Sequence, residues 1–182
     1  MKRFFLCVVA VGLSMFCHLE SKAQFYSVSV NTLALPTATL NGDVSMTLNR
    51  NWSAHADVSI NPWRIEKFRI QHFMVRPQIR YWLSESYRGW FFGAHGVFAG
   101  YHLGIPRYMR YKVKGIAVGG GVDVGYQLPL SPRWNLEFAL GGSVLWTDYF
   151  RSECKNCGKI LDEKSGVYVL PTKAALSVVY LF

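Results

Sequence analysis

Apolar and polar residues alternate with a period of two along most of this 182-residue chain. In the segment that starts at Trp134, the even-numbered residues are apolar or glycine as far as Trp146, whereas the odd-numbered ones include Asn135, Glu137 and Ser143. Because a β-strand points successive side chains to opposite faces, such a segment has one apolar and one polar face. Where the alternation is clear, charged residues avoid the apolar face. The pattern therefore predicts an all-β fold with apolar and polar side chains on separate faces.

Eight segments carry this alternation, and their connections alternate between short and long. The link around Pro36 is the exception, since it is short where a long loop is expected. Tryptophan follows each of three short turns, at Trp52, Trp90 and Trp134, as in an interfacial aromatic girdle. We therefore predict an eight-stranded antiparallel up-and-down transmembrane β-barrel with meander topology; the alternative is a soluble β-sandwich with these aromatics in its core. The predicted strands are Phe25–Leu33, Leu40–Asn49, Trp52–Asn61, His72–Leu83, Trp90–His102, Gly115–Leu128, Trp134–Tyr149 and Lys173–Phe182.

The first 23 residues have the features of a cleaved signal peptide. Lys2 and Arg3 precede an apolar run over Phe4–Phe16, which is too short to span a membrane as a helix. Small residues around Ala23 fit a cleavage site. We expect one barrel domain, residues 24–182, integral to the outer membrane with both termini in the periplasm.

The last strand ends on two outward-facing aromatic residues, Tyr180 and Phe182. An aromatic closing strand resembles the signal that the barrel-insertion machinery reads in the bacterial outer membrane. We therefore expect that machinery to be a partner of this chain, and the surrounding membrane lipid to contact its apolar face.

The polar face concentrates the ionisable residues of the strands. Four acids oppose three permanent cations, and an eight-stranded barrel is just wide enough for side chains to fill it. Because buried charge is costly unless paired, we predict an internal ion-pair network that plugs the barrel. The alternation leaves the face of His95 ambiguous, with the inward face preferred. The predicted lumen residues are Asp43, His55, Asp57, Arg76, Arg80, Asp123, Glu137 and Lys173.

The long loops are strongly basic. One of them carries Arg107, Arg110, Lys112 and Lys114 without an acid. Such a surface is attracted to anionic lipopolysaccharide, as basic segments are to anionic lipid; a merely solvated surface is the plainer alternative. Nucleic acid is the other class of anion that such charge suggests, but no recognition motif accompanies it and the compartment argues against it. We expect no nucleic-acid partner.

The pair Cys154 and Cys157 lies in the last long loop. In an oxidising compartment the two cysteines are candidates for a disulfide. Free thiols and half of a tetrahedral zinc site are the alternatives, but the chain has no second pair to complete a zinc ribbon. We expect neither a metal nor a cofactor.

Some small outer-membrane barrels are enzymes, and four residues here are candidate parts of a catalytic site: His95, His102, Ser143 and Asp148. A triad is recognised by geometry, which the order of residues along a chain does not supply. We therefore expect a monomeric protein without catalytic residues, with a small selective channel or a lipid-A-modifying enzyme as the alternatives.

A set of short motifs resembles family 3575 of the domains of unknown function, which comprises small outer-membrane proteins of Bacteroidota. The resemblance covers nearly all of the chain after the signal peptide and implies an outer-membrane barrel without established activity. It also implies a link to surface-fibre (fimbria) biogenesis. The motifs are Asn31-Thr-Leu33, Asn61-Pro-Trp63, Arg76-Pro-Gln-Ile-Arg-Tyr-Trp82, Phe91-Phe-Gly93, Gly125-Tyr-Gln127, Arg133-Trp-Asn-Leu-Glu137, Glu153-Cys-x-x-Cys-Gly158 and Pro171-Thr-Lys-Ala-Ala-Leu-Ser177.

Overall fold

The computed structural model describes residues 26–65, 68–104, 111–153 and 160–182. Nearly all of them lie in strands, as the alternation predicts. Among these residues no helix is long and apolar enough to cross a membrane. The elements in chain order are β1 (Tyr26–Asn31), the 3₁₀ helix η1 (Thr32–Thr37), β2 (Leu40–Asn49), β3 (Trp52–Asn61), β4 (Arg64–Ile65), β5 (Phe68–Trp82), β6 (Gly89–Gly104), β7 (Tyr111–Pro129), β8 (Trp134–Glu153) and β9 (Ile160–Leu181).

Eight antiparallel strands form a closed ring in up-and-down order. Each long strand pairs with the next along the chain, β3 pairs with β5, and β9 returns to pair with β1. The two-residue strand β4 pairs only with the start of β5. The prediction of an all-β meander of eight antiparallel strands is confirmed at this level.

The two ends of the ring differ. At one end, here called the turn end, short connections join β2 to β3, β5 to β6 and β7 to β8, and Phe182 N–H donates to the Tyr26 carbonyl at 2.9 Å. At the opposite end, here called the hairpin end, β7, β8 and β9 extend well beyond the short strand β1.

The last strand is much longer than predicted. It begins at Ile160 rather than Lys173, and β8 continues to Glu153. The predicted loop between Phe150 and Thr172 is therefore largely a paired hairpin, with Trp146 opposite Val167 and Phe150 opposite Glu163. Sequence reasoning missed this extension because the charged residues near its tip resemble a loop, whereas pairing with a neighbouring strand decides whether such residues are extended.

The first strand is shorter than predicted, since it ends at Asn31 and η1 follows. The Asn31 side chain accepts a hydrogen bond from the Leu33 N–H at 3.1 Å, which caps η1 and competes with continued strand pairing. Pro36 lies inside η1, and Ala38 closes it with a φ of 53°. A local capping interaction thus overrides the strand propensity of Leu33.

The outward and inward faces have opposite character. Large apolar side chains on the outward face are exposed, such as Val122 at 69 % and Leu140 at 67 %, whereas the inward residues Asp123 and Gly141 beside them lie within the ring. The interior also holds two small apolar clusters. Trp82, Tyr87, Phe91, Ala139 and Ala175 form one near the turn end, and Val97, Ala117 and Leu145 form the other toward the hairpin end.

Candidate functional site

The ring interior holds a buried ion-pair cluster centred on Arg80. The Arg80 guanidinium donates from Nη1 to Glu137 Oε2 at 2.7 Å and from Nη2 to Glu137 Oε1 at 3.1 Å. Its Nη2 also lies 3.8 Å from Asp43 Oδ2 on β2, two strands away from β5 around the ring. The guanidinium stacks on Phe91 at 4.4 Å from the ring centroid. Strand alternation on β2, β5, β6 and β8 brings these side chains inward, so Arg80 ties distant strands together.

A hydrogen-bond chain continues from Asp43 toward the turn end. His55 Nδ1 lies 3.1 Å from Asp43 Oδ1, and His55 Nε2 lies 2.9 Å from Ser53 Oγ. The Trp82 indole Nε1 donates to the same hydroxyl at 2.8 Å. Ser53 and Trp82 are both fully buried. The chain of contacts therefore satisfies the polar atoms of a buried histidine and an indole.

A second buried cluster is centred on Asp123, whose side chain is fully inaccessible. Gln78 Nε2 donates to both Asp123 carboxylate oxygens, at 2.8 and 2.7 Å. His95 Nδ1 lies 2.9 Å from Asp123 Oδ1, and Lys173 Nζ donates to Gln78 Oε1 at 2.8 Å. Lys173 Nζ is also 3.4 Å from Asp123 Oδ2. The carboxylate is thus enclosed by donors, as a buried charge requires.

Contacts extend from this cluster toward the hairpin end. His95 Nε2 lies 2.8 Å from Ser143 Oγ, and the Ser143 hydroxyl also bonds the Thr172 hydroxyl. Thr172 is the extra residue where the β8–β9 register shifts, and such a bulge re-aims a side chain. The Thr172 carbonyl accepts a hydrogen bond from Arg76 Nη1 at 2.6 Å, and Arg76 Nη2 pairs with Asp57 Oδ1 at 3.0 Å. The predicted lumen residues are therefore parts of connected networks.

Glycines make room for these clusters. A Cβ at Gly121 would lie 2.3 Å from Ser143 Oγ and 2.2 Å from the Gly142 carbonyl oxygen, and a Cβ at Gly141 would lie 2.6 Å from Asp123 Cβ. No heavier residue fits these two positions without displacing the neighbouring strand or the Asp123 carboxylate. The glycine-rich stretches of β7 and β8 are thus a packing requirement of the polar interior.

The Ser84–Gly89 connection inserts Tyr87 into the turn end of the ring, a feature that sequence reasoning missed. Tyr87 is 4 % exposed and belongs to the same apolar cluster as Trp82 and Phe91. The centroid of the Trp82 ring lies 5.7 Å from that of Tyr87 and 4.8 Å from that of Phe91. Its hydroxyl lies 2.8 Å from Ser45 Oγ, and its carbonyl accepts from Asn135 Nδ2 at 2.8 Å. The sequence did contain a signal for this buried position, a tyrosine in a short polar turn, because exposed turns rarely need a large aromatic residue.

The other predicted residues are distributed as follows. Among the candidate catalytic residues, His95 and Ser143 are brought together, whereas His102 and Asp148 are half-buried toward the hairpin end and do not join them. Lys114 is exposed on β7, and Lys112 lies on β7 with its side chain outside the described part. Residues 1–23, Arg107, Arg110, Cys154 and Cys157 lie outside the described residues.

The predicted aromatic girdle forms pairs of neighbouring rings on the outward face at the turn end. Trp134 and Tyr180 have ring centroids 5.0 Å apart, and Tyr180 and Phe182 are 5.2 Å apart. The same end carries two further pairs, Trp52–Tyr81 and Trp90–Tyr126. These aromatic residues are partly or largely exposed. They therefore form a band around the outside of the turn end rather than a core.

The charged groups of the interior lie in ion pairs, although Arg80 Nε and both side-chain amide atoms of Gln127 are buried without a hydrogen-bond partner in the part of the chain that the structure describes. Two Asp–His–Ser arrangements have the polarity of a catalytic triad, with histidine Nδ1 on the carboxylate and Nε2 on the hydroxyl. Both serine residues are buried, Ser53 at 0 % and Ser143 at 2 % exposure. Within the described residues, no three His, Cys, Asp or Glu side chains are grouped to hold a metal ion.

These features define a small all-β protein with eight up-and-down strands closed around a charged interior. The chain belongs to the family described as "Protein of unknown function (DUF3575)", whose model matches residues 5–182. The family resemblance predicted from the motifs is therefore confirmed. No curated protein and no solved structure matches the chain significantly.

Proposed function

We propose that this chain is a small integral outer-membrane β-barrel protein with a side-chain-filled lumen and a structural, surface-interaction role. The observation that carries the proposal is the inverted distribution of polarity. Charged side chains such as Arg80 and Asp123 are buried inside the ring, whereas Val122, Leu140 and Val169 are exposed outside it at 67–77 %. Hydrocarbon around the ring would remove this exposure, and a closed sheet leaves few backbone groups unpaired in lipid.

The aromatic band supports an orientation with the turn end in the periplasm. Tryptophan and tyrosine concentrate at membrane interfaces, and short connections characterise the periplasmic end of such barrels. The insertion machinery would then read Tyr180 and Phe182 at that end. The basic loops would face lipopolysaccharide outside, and the protein would be a monomer in its membrane.

The first experiment tests membrane insertion and closure together. The purified full chain should require detergent, show heat-modifiable mobility on gels, and give no stable conductance of porin size in planar bilayers. A chain that remains compact and soluble without detergent would refute insertion. Stable porin-like conductance would refute the filled lumen instead.

A role accessory to surface-fibre biogenesis is the finer proposal, and it derives from the family resemblance together with the long hairpins at the outer end. Deleting the gene should reduce assembled surface fibres seen by electron microscopy, and the wild-type chain should restore them. Unchanged fibres in the deletion strain would remove the fibre role and leave membrane insertion unaffected.

A small selective channel is the second candidate function. The observation behind it is a small polar cavity of about 10 Å³ inside the ring, which Asn31, Asn41, Asp57 and Lys173 line beside Arg80. Small, ion-selective currents that disappear when Arg80 is replaced would support this function over the filled lumen.

A lipid-modifying enzyme is favoured by one observation only, the contact of Ser143 with His95 and Asp123. We assign that arrangement a structural role, because the Ser143 hydroxyl is buried and also bonded to Thr172. Unchanged lipid A in mass spectra, with and without the protein, is the expected result. A change in lipid A that Ser143→Ala abolishes would contradict this assignment.

A further inference from the structure

The connection between β5 and β6, residues 83–88 and here called the plug, folds inward at Tyr87 and closes the turn end of the ring. Tyr87 reaches two sides of the interior, since its hydroxyl lies 2.8 Å from Ser45 Oγ on β2 and its carbonyl accepts from Asn135 Nδ2 on β8 at 2.8 Å. The strands on either side of the plug stay paired with each other as far as Trp82 and Phe91. The plug can therefore move without breaking the pairing of the ring strands.

The backbone of the plug is strained at Tyr87. Its φ is 68°, in the left-handed region that bulky residues rarely adopt. Gly89, directly after the plug, has a φ of 78°, which glycine adopts without a steric penalty. Strain of this kind persists only where the surrounding structure holds it. Contacts with the ring, and not the preference of its own backbone, therefore keep the plug inward, and Gly89 gives it a hinge.

Polar atoms around the plug are buried without a hydrogen-bond partner among the described residues. They are both amide atoms of Gln127, Oδ1 of Asn135 and the hydroxyl of Thr47. Gln127 pairs with Gly89 across β6 and β7, Asn135 holds the Tyr87 carbonyl, and Thr47 lies on the inward face of β2 with the serine that Tyr87 contacts. A buried polar atom without a partner costs free energy, which water would recover if the plug moved away. The closed state thus carries a cost that an open state removes.

At the rim, the plug is attached to the turn between β2 and β3. The Ser86 N–H donates to the Arg50 carbonyl at 2.8 Å, and Ser86 Oγ donates to the Asn49 carbonyl at 3.0 Å. The ion pair of Arg50 with Glu85 at 2.9 Å is largely exposed, so it adds little. The main resistance to release therefore comes from the buried ring and hydroxyl of Tyr87.

We propose that residues 83–88 form a releasable plug, which swings Tyr87 out of the ring and admits water and small solutes to the turn end of the interior. Backbone strain and the unpartnered polar atoms favour the open state, whereas burial of the Tyr87 ring and its hydrogen bonds favour the closed state. Trp82 and Phe91 lie on β5 and β6 and stay inside, so release opens a chamber and not a pore. The inference goes beyond the proposed function, since it concerns the inside of the ring whether lipid or water surrounds its outside.

Cysteine labelling measures the release of the plug. In the full chain with all four native cysteines replaced by serine, Gln127→Cys places a thiol beside the plug, and Ala117→Cys places one on the same strand and face toward the hairpin end. The native side chains at these positions are buried, at 0 % and 3 % exposure. A charged methanethiosulfonate reagent should modify the thiol at position 127 at least about tenfold faster, because a local opening needs less free energy than global unfolding.

Urea separates local release from global unfolding. Labelling through release of the plug should hardly depend on low concentrations of urea, because release exposes little surface. Labelling at position 117 should rise steeply with urea, because it requires global unfolding. Equal labelling rates at the two positions, or equally steep rises with urea, would overturn the proposal.

A second pair of variants tests whether Tyr87 is the moving part. Tyr87→Phe keeps the ring but removes the hydroxyl contact with Ser45, so it should speed labelling of the Gln127→Cys chain about fivefold. The matched control Tyr126→Phe removes a hydroxyl on the outward face of β7, next to the labelled position. It should change the rate by less than about twofold. Equal effects of the two variants would contradict a plug built on Tyr87.

Hydrogen exchange of the wild-type chain tests the plug without any substitution. The N–H groups of Ser86 and Trp82 donate to the neighbouring carbonyls of Arg50 and Asn51, both at 2.8 Å, but only Ser86 belongs to the plug. The Ser86 N–H should exchange at least about tenfold faster than the Trp82 N–H. Equal protection would make the plug a rigid part of the ring and overturn the proposal. Membrane insertion is read separately, from the detergent dependence of the chain, so its failure and this one are distinguishable.

Discussion

The Arg80–Glu137 pair offers the sharpest test of the polar interior, through the variant Glu137→Ala. The pair is bidentate, at 2.7 and 3.1 Å, and both side chains are less than 5 % exposed. Removing one partner of such a buried pair costs about 3–5 kcal/mol, because an uncompensated charge stays buried. Asp43, at 3.8 Å from Arg80, and the face of Phe91 retain part of the stabilisation. We therefore expect a loss of about 3 kcal/mol, the lower end of this range.

Urea titration of the protein folded in micelles measures this free energy, with tryptophan fluorescence and heat-modifiable gel mobility as two independent probes. The exposed pair Arg50–Glu85 provides the control, because it has a similar distance of 2.9 Å but side-chain exposures of 78 % and 54 %. Glu85→Ala should cost less than about 1 kcal/mol. If Glu137→Ala and Glu85→Ala lower the stability equally, the Glu137 carboxylate is solvated and the account of a sealed charged interior is wrong.

Three further outcomes follow from the same interior. Gly121→Ala should destabilise the folded state by about 1–3 kcal/mol in urea titration, whereas Gly42→Ala, whose added Cβ meets nothing within 4 Å, should be close to neutral. Tyr87→Ala should cost about 3–5 kcal/mol in the same titration, because it leaves a cavity at the turn end; a loss below about 1 kcal/mol would show that the aromatic ring does not pack there in solution. Trp82→Phe should cost about 1 kcal/mol or more, since it removes the hydrogen bond to Ser53, and in a double-mutant cycle Trp82→Phe and Ser53→Ala should be less than additive if that bond is the cause.

Much of the fold could be predicted because apolar and polar residues alternate with a single period of two, which assigns each side chain to one face of its strand. In β8, the odd-numbered residues from Asn135 to Thr147, which the alternation placed on the polar face, all lie inside the ring. Lipid and a polar interior would impose opposite demands on the two faces of each strand. The residue types along a strand therefore predict which side chains point outward and which point inward. The ends of the strands were not. Asn31 ends β1 through a side-chain hydrogen bond, and Ile160–Leu170 is extended because β8 pairs with it.

The sequence also predicted which charged residues lie in the interior, but it did not predict which acid pairs with which base. The sequence assigned Asp43, Asp123 and Glu137 to one face with Arg80 and Lys173, and near-balance of charge indicated that they would pair. Which acid meets which base depends on the register of all eight strands around the ring, because Arg80 reaches Glu137 across strands distant in the chain. That long-range closure is absent from any local pattern.

The amino-acid sequence by itself determined that the chain forms alternating strands with charge on one face, and it carried the family motifs that the comparison with known families bears out. Only the tertiary structure decided where Tyr87 lies, that Asp–His–Ser chains form twice, and that β1 pairs with β9 only from Leu181 to Ser177. The physical reason is that side-chain orientation follows from a period of two within one strand, whereas contacts and missing neighbours follow from how strands of unequal length meet around the ring.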